Sequence, residues 1–356
     1  MLLIGTLACA PTENPAPTGT SPRVAAFGFA NDRALTRFGS AEEGLDLPRD
    51  LAFDPAADLL WTVNQRTDGT VLYFAPGTEE QTAEERIDVW SEHFMHRPSS
   101  IAFGAPGTFA TCQESENENG IEGAEDFMGP TLWDADLDVY ATVHQERDNF
   151  RKLGSHIDML HESPLCMGLA WDHDNAYWSF DGFHGTLDYF DFQVDHGPGN
   201  DDHSDGIVRR YDDVELTRVE GVPGHIVRDA ETGVLYIADA GTGRILRVDP
   251  STAAEDRDLR QVMEPLAEYT SYLGATVETF AEGLVEPSGI ELRDGRLFVS
   301  DHGTGELVAY DLDGVELDRV ETGLDGVMGL AFAPDGRLWL ADGADEGVYR
   351  LDPDGG

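Results

Sequence analysis

Lysine is almost absent: Lys152 is the single lysine, and the 23 basic residues face 69 acidic ones, for a formal net charge of -46 over 356 residues. Affinity for nucleic acid comes from neutralising phosphates, so this balance excludes nucleic acid as a partner and argues against adhesion to anionic membrane surfaces. Cysteine is scarce too, with only Cys9, Cys112 and Cys166, and no zinc-type cysteine cluster appears. No stretch approaches the roughly 20 apolar residues that a membrane-spanning helix needs. A nucleophile elbow and a phosphate-binding loop are also missing. The acidic surplus itself reads as a solvated, self-repelling surface, with collection of divalent cations as the competing reading.

What the chain does have is repetition. GVLYIADAGTGRILRVDP (233–250), GRLFVSDHGTGELVAYDLDG (295–314) and GRLWLADGADEGVYRLDPDG (336–355) are near copies. Each is an apolar alternation, a turn of Asp and Gly, and a second alternation, which specifies two antiparallel strands and a tight loop. Upstream of such pairs lies a brief strand led by small or Pro residues: PRDLAFD, PSSIAFG, CMGLAWD, PGHIVRD, PSGIELR and VMGLAFA. Their anchors are Leu51, Ile101, Leu169, Ile226, Ile290 and Leu330. Outer strands are expected at 214–221 and 315–323.

These spacings predict an all-β, six-bladed β-propeller of four-stranded antiparallel blades. The last blade lacks an outer strand, and segment 23–40 is expected to supply it and close the ring, since an unpaired edge invites aggregation. One domain is expected over 23–356, with insertions at 113–163 and 181–206. Residues 1–22 read as a lipoprotein-type signal, MLLIGTLAC, followed by a Pro/Thr-rich tether, with Cys9 as the lipidation site. The expected location is therefore outside the cytoplasm, in the periplasm or on the outer membrane, and the expected state is a monomer.

In a propeller, the loops before each innermost strand and after each second strand meet at one mouth of the central channel. Cys112 and Cys166 open on that face in neighbouring blades, and export favours a disulfide between them, with a thiol metal site as the alternative. Asn64, Gln113, Asp181, Asp239, Asp301 and Asp342 end second strands there, and Met167 and Met328 lead innermost ones. His96, His161, His184, His225 and His302 lie in or beside the same loops and are the candidate metal ligands, zinc or calcium ahead of copper. Such an Asp can equally fasten its own turn, and such a His can cap the loop. Asp201, His203, Asp205 and Asp212 have the spacing of an oxygen-rich calcium loop, though His203 replaces an oxygen donor.

The phrases PSGI, LYIADAGTGRI and AFAPDGRLWLADG resemble the NHL-repeat and SMP-30-like six-bladed propellers from Leu51 onward. The resemblance implies lyases of amidated-peptide precursors, calcium-dependent lactonases, or binding proteins without chemistry. The lyases' Pro-His-x-Leu/Ile histidines are replaced here by Arg49, Ser99, Met167, Gly224, Ser288 and Met328. The lactonases' Pro-Asn-Gly phrase reads PSG, with Ser288 in place of the calcium-binding Asn. The expectation is an exported propeller that binds a small molecule or protein at an acidic, histidine-bearing mouth, with a divalent metal as the expected cofactor. The competing expectation is a metal-dependent hydrolase or lyase with Asp181, Asp239 or Asp301 as base.

Overall fold

The computed structural model describes Phe27 and residues 33–116, 127–148, 150–200, 202–261 and 265–353. Six sheets, antiparallel except for one parallel pair in blade three, stand around a central axis, and all six sequence anchors lie in innermost strands. Blade one comprises Pro48–Phe53, Leu59–Asn64, Gly69–Phe74 and Thr82–Arg86. Blades two and five repeat this order from Pro98–Phe103 and Pro287–Arg293 respectively. Blade six runs Val327–Phe332, Leu338–Asp342 and Gly347–Pro353, and Arg33–Gly39 pairs antiparallel with the last of these as a fourth strand.

Blades three and four depart from the pattern. The outer strand of blade three is Ile207–Tyr211, which pairs with the third strand, Thr186–Asp191. The outer strand expected at 214–221 does not form; within it only Val219 makes an isolated bridge, to Val222. Val214 and Leu216 are buried there against the interface with blade four, so their apolar alternation reflects loop packing rather than a sheet. Blade four, innermost strand Ile226–Arg228, sends out an excursion before its last strand. That excursion lays Glu268–Leu273 parallel to Ile207–Tyr211 and adds Ala254–Asp258 beyond it, giving blade three six strands. The outermost strand, AEDRD, is exposed along its length, and its charges protect the edge from pairing with another chain.

Alternation along each strand aims side chains at both neighbouring blades. Six apolar clusters result, one per interface; the sixth joins Leu51, Leu60 and Val71 of blade one to Ala331, Trp339 and Val348 of blade six. Between blades two and three the cluster contains the disulfide Cys112–Cys166, whose Cα atoms are 5.4 Å apart.

The stretches expected as insertions, 113–163 and 181–206, contain blade strands, Thr131–Asp134 and His156–Met159 in the first and Thr186–Asp191 in the second, and the loops that remain fall on both faces. Segment 192–206 follows a third strand, so it emerges opposite the expected mouth. There it packs on the 135–155 loop of blade two, through Leu153 N–H to Gly199 O (3.0 Å) and Lys152 Nζ to Asn200 Oδ1 (2.7 Å). Segment 114–130, after a second strand, lies on the mouth side; residues 117–126 of it fall outside the described residues.

Candidate functional site

At the expected mouth the six leading segments close on each other. Arg49, Ser99, Met167 and Ser288 have no exposed surface. Gly224 N–H donates to Met167 O (3.0 Å), His225 N–H to Ser288 O (3.1 Å), and Ser99 Oγ to Cys166 O (2.6 Å). A Cβ on Gly168 would meet Gly224 O at 2.3 Å, and one on Gly329 would meet Asp50 Cα at 2.6 Å, so glycine is what permits this contact. Over the closure lies Glu114, just beyond the second strand of blade two. It pairs with the buried Arg49 (2.8 Å) and with Arg218 (2.6 Å), and accepts from Gly221 N–H (3.0 Å). Burial pushes the Glu114 carboxyl up, but Arg49, Gly221 and Arg218 outweigh it and hold it below its ordinary value.

Most residues proposed from the sequence are engaged one by one at this end or at the rim of the blades. Asp301 accepts from the N–H groups of Val285, Glu286 and Gly303. Asp239 accepts from Thr217 N–H, Thr242 Oγ1 and Arg244; Asp342 accepts from Gly326 and Asp345 N–H. Asp181 accepts from Phe183 and His184 N–H and holds His184 Nδ1 at 2.6 Å. Asn64 ties down Asp46 N–H and Gly44 O, and Gln113 donates to Gly129 O and Thr131 Oγ1. Met167 and Met328 are packing residues, both buried. The turn-fastening reading of these carboxylates is the one their hydrogen bonds support; they do not converge on a shared opening.

The five candidate histidines of the mouth likewise do not gather, although His161 packs edge-on to His203 at 5.4 Å. His96 pairs with Asp68 (3.0 Å), His161 stacks on Phe127, and His302 is half-buried beside its turn. Among the described residues no group of three or more His, Cys, Asp or Glu side chains is placed to hold a metal ion. The calcium-loop spacing disperses too: His203 bonds Asp158 (2.6 Å), Asp205 pairs with His196, and Asp212 accepts from Ser271 and Arg257, while Asp201 lies outside the described residues. At the mouth end the first blade presents a buried guanidinium, Arg49, and the nearest carboxylate, Glu114, is already committed to two arginines. These residues do not fit a divalent cation.

Of the five candidate histidines, His225 is the one that lines the channel, and the channel opens at the other end. A blind cavity of about 340 Å³ runs along the innermost strands from the closure towards the hairpins that lead into the second strands. Its walls form three tiers. The deepest holds Asp50, Ser100 and His225; the middle holds Ala52, Ala102, Ala170, Val227, Glu291 and Ala331; the outermost holds Phe53, Phe103, Trp171, Arg228 and Phe332. Trp171 is 41% exposed, so the outer tier is an open rim.

In the deepest tier Asp50 is nearly buried and accepts from Leu51 N–H (2.8 Å), Ser100 Oγ (2.9 Å) and Ile101 N–H (2.9 Å). His225 Nε2 is 3.1 Å from Ser99 O, which can only accept, so Nε2 carries the proton. Nδ1 then faces Asp50 Oδ1 at 3.6 Å, beyond hydrogen-bond distance. Burial raises the Asp50 pKa, and the nearby His225 is the main opposing influence.

Glu291 is the residue that sequence reasoning missed. It occupies the position at which the other five innermost strands carry Ala or Val. Burial first, and the Asp50 charge second, push its pKa up to about 8. Aligning the six leading phrases one residue past their anchors gives Ala, Ala, Ala, Val, Glu, Ala, and that break in an apolar series is the signal that could have found it.

No protein-family description matches the chain. A stretch of 157 residues, 44% of the chain, is 26% identical to regucalcin from Danio rerio and spans 48% of that protein, about half its length. Among solved structures, an auxiliary nutrient binding protein from Bacteroides ovatus superposes with a TM-score of 0.55 at 11% identity, covering 90% of this chain and 77% of that one. A luciferin-regenerating enzyme gives 0.55 at 13%, covering 91% and 96%. The calcium-binding regucalcin from Agrobacterium tumefaciens gives 0.50 at 15%, covering 91% and 94%. The structural likenesses establish the propeller fold, and the partial sequence match supports kinship with the NHL and SMP-30-like propellers.

Proposed function

We propose that this protein is an exported small-molecule-binding propeller whose site is the blind channel cavity, not the expected acidic mouth. The observation that carries this reading is the polar floor of Asp50, Ser100 and His225, with Glu291 above it, at the end of an otherwise apolar, aromatic-rimmed channel. A concave apolar pocket with a few convergent polar groups is the usual form of a ligand site. The nutrient-binding and luciferin-regenerating propellers are compatible with this class of role. Export and attachment through Cys9 are part of the proposal, and the Cys112–Cys166 disulfide supports them, because disulfides persist in oxidising compartments.

The test is a thermal-shift screen of small metabolites against the wild type and Ala102→Leu, which narrows the cavity. Shifts present in the wild type and abolished in a folded Ala102→Leu support the site. Shifts that survive the substitution place binding elsewhere. Calcium and zinc belong in the same screen, since regucalcin from Agrobacterium tumefaciens is calcium-binding; a cation shift lost in a folded Glu114→Gln would restore the mouth as a site.

A second reading, a hydrolase of lactones or esters, is favoured by the placement of the His225 imidazole 3.6 Å from the Asp50 carboxylate inside the cavity. Turnover of a lactone and ester panel that disappears in His225→Gln would select it.

A further inference from the structure

If the cavity is the ligand site, as proposed above, its chemistry also selects the class of ligand. Glu291 and Asp50 are the acidic groups lining it, and Phe53, Phe103, Trp171 and Phe332 give its rim four aromatic rings. Of the basic groups nearby, Arg228 is paired with Asp172, and Arg293 lies over the Phe332 ring at 4.9 Å and donates to Ala333 O at 3.2 Å. The Nε2–H of His225 is already given to Ser99 O. The cavity is thus short of positive charge, lined with rings whose faces attract cations, and set in a chain of net charge -46 that draws cations towards it. We propose that the ligand is a small organic cation, its ammonium group held between Glu291 and Asp50 and its apolar part among the rim aromatics.

The position of Glu291 supports this choice. A carboxyl in an Ala/Val tier costs stability, and it is tolerated where a ligand uses it. With its pKa near 8, Glu291 holds a proton at neutral pH in the empty cavity. An arriving cation favours the carboxylate, so binding at pH 7 should release a proton.

The experiment is isothermal titration of the full chain with three probes of similar size: trimethyl(2-phenylethyl)ammonium, 2-phenylethanol and phenylacetate. Expected is preference for the cation over the alcohol by about tenfold or more, with no phenylacetate binding. Glu291→Gln should weaken the cation about tenfold, leave the alcohol within about twofold, and abolish the proton release seen by comparing two buffers at pH 7. Equal or tighter binding of the alcohol or phenylacetate, blocked by Ala102→Leu, would overturn the cation while leaving the cavity as the site. Probe binding indifferent to Ala102→Leu would overturn the cavity itself. Cation affinity unchanged in a folded Glu291→Gln, or absent at about 10 mM, would also overturn the proposal.

Discussion

The two ends of the central channel are built from the same six strands and have opposite characters. At the leading end, polar and charged residues are plentiful, and many of them hold loops and strand starts together. At the trailing end the residues are mostly Ala, Val and Phe, and the few polar ones line a cavity. Density of reactive residue types in a sequence is therefore a poor guide to a site when the fold offers those residues structural partners. A lone carboxyl in an apolar series is a better guide, because it breaks a pattern that packing alone would keep.

The sharpest way to break this contrast is at the closed end. Arg49→Ala removes one partner of a fully buried ion pair and should destabilise the fold by about 3–5 kcal/mol in chemical denaturation. Glu114 titrates below the ordinary glutamate value of 4.5, so its contribution is present above that pH and fades as acid carries the medium below it. An Arg49→Ala variant of unchanged stability would mean that the closure does not hold the channel shut. Removing the neighbouring cross-link with Cys112→Ala and Cys166→Ala should cost about 2–4 kcal/mol, measured the same way.

At the open end the sign reverses. Glu291→Ala restores the Ala/Val tier and should stabilise the protein by about 1–3 kcal/mol at pH 8. The folded pKa, about 8, exceeds the ordinary value of 4.5, so the folded state keeps a proton that the unfolded state loses between these values. The penalty of Glu291 therefore grows as pH rises through that window, and the gain from the substitution should shrink towards zero at pH 4.5. Melting curves at the two pH values check it; a destabilised variant would mean that Glu291 is a structural anchor. The smallest effect is expected at the fasteners. Asp301→Asn should lower stability by about 1–2 kcal/mol and leave ligand affinity in the cavity within about twofold, separating turn chemistry from site chemistry.

Much of the architecture is legible in the chain. The six leading phrases mark the innermost strands, because alternation and turn residues are local signals. The outer strand of blade three is not where the alternation at 214–221 suggests, since such a pattern looks the same whether it pairs in a sheet or packs as a loop under the next blade. Nor can local signals show that 254–273 crosses over to widen that blade. In the site, His225 is identifiable from the sequence and does line the channel, whereas Asp50 and Glu291 read there only as positions in the leading strands PRDLAFD and PSGIELR. The His and Asp residues of the mouth do lie in the loops expected of them, but their side chains turn to nearby backbone donors instead of meeting.

By itself, the sequence determined the repeat, the number of blades and the acidity of the chain, since these follow from local periodicity and composition. Which end of the channel is open was decided only by the tertiary structure. Closure depends on glycines from different blades approaching within van der Waals contact and on a buried Arg49–Glu114 pair that spans two blades. Such contacts join residues far apart in the chain, and no local pattern carries them.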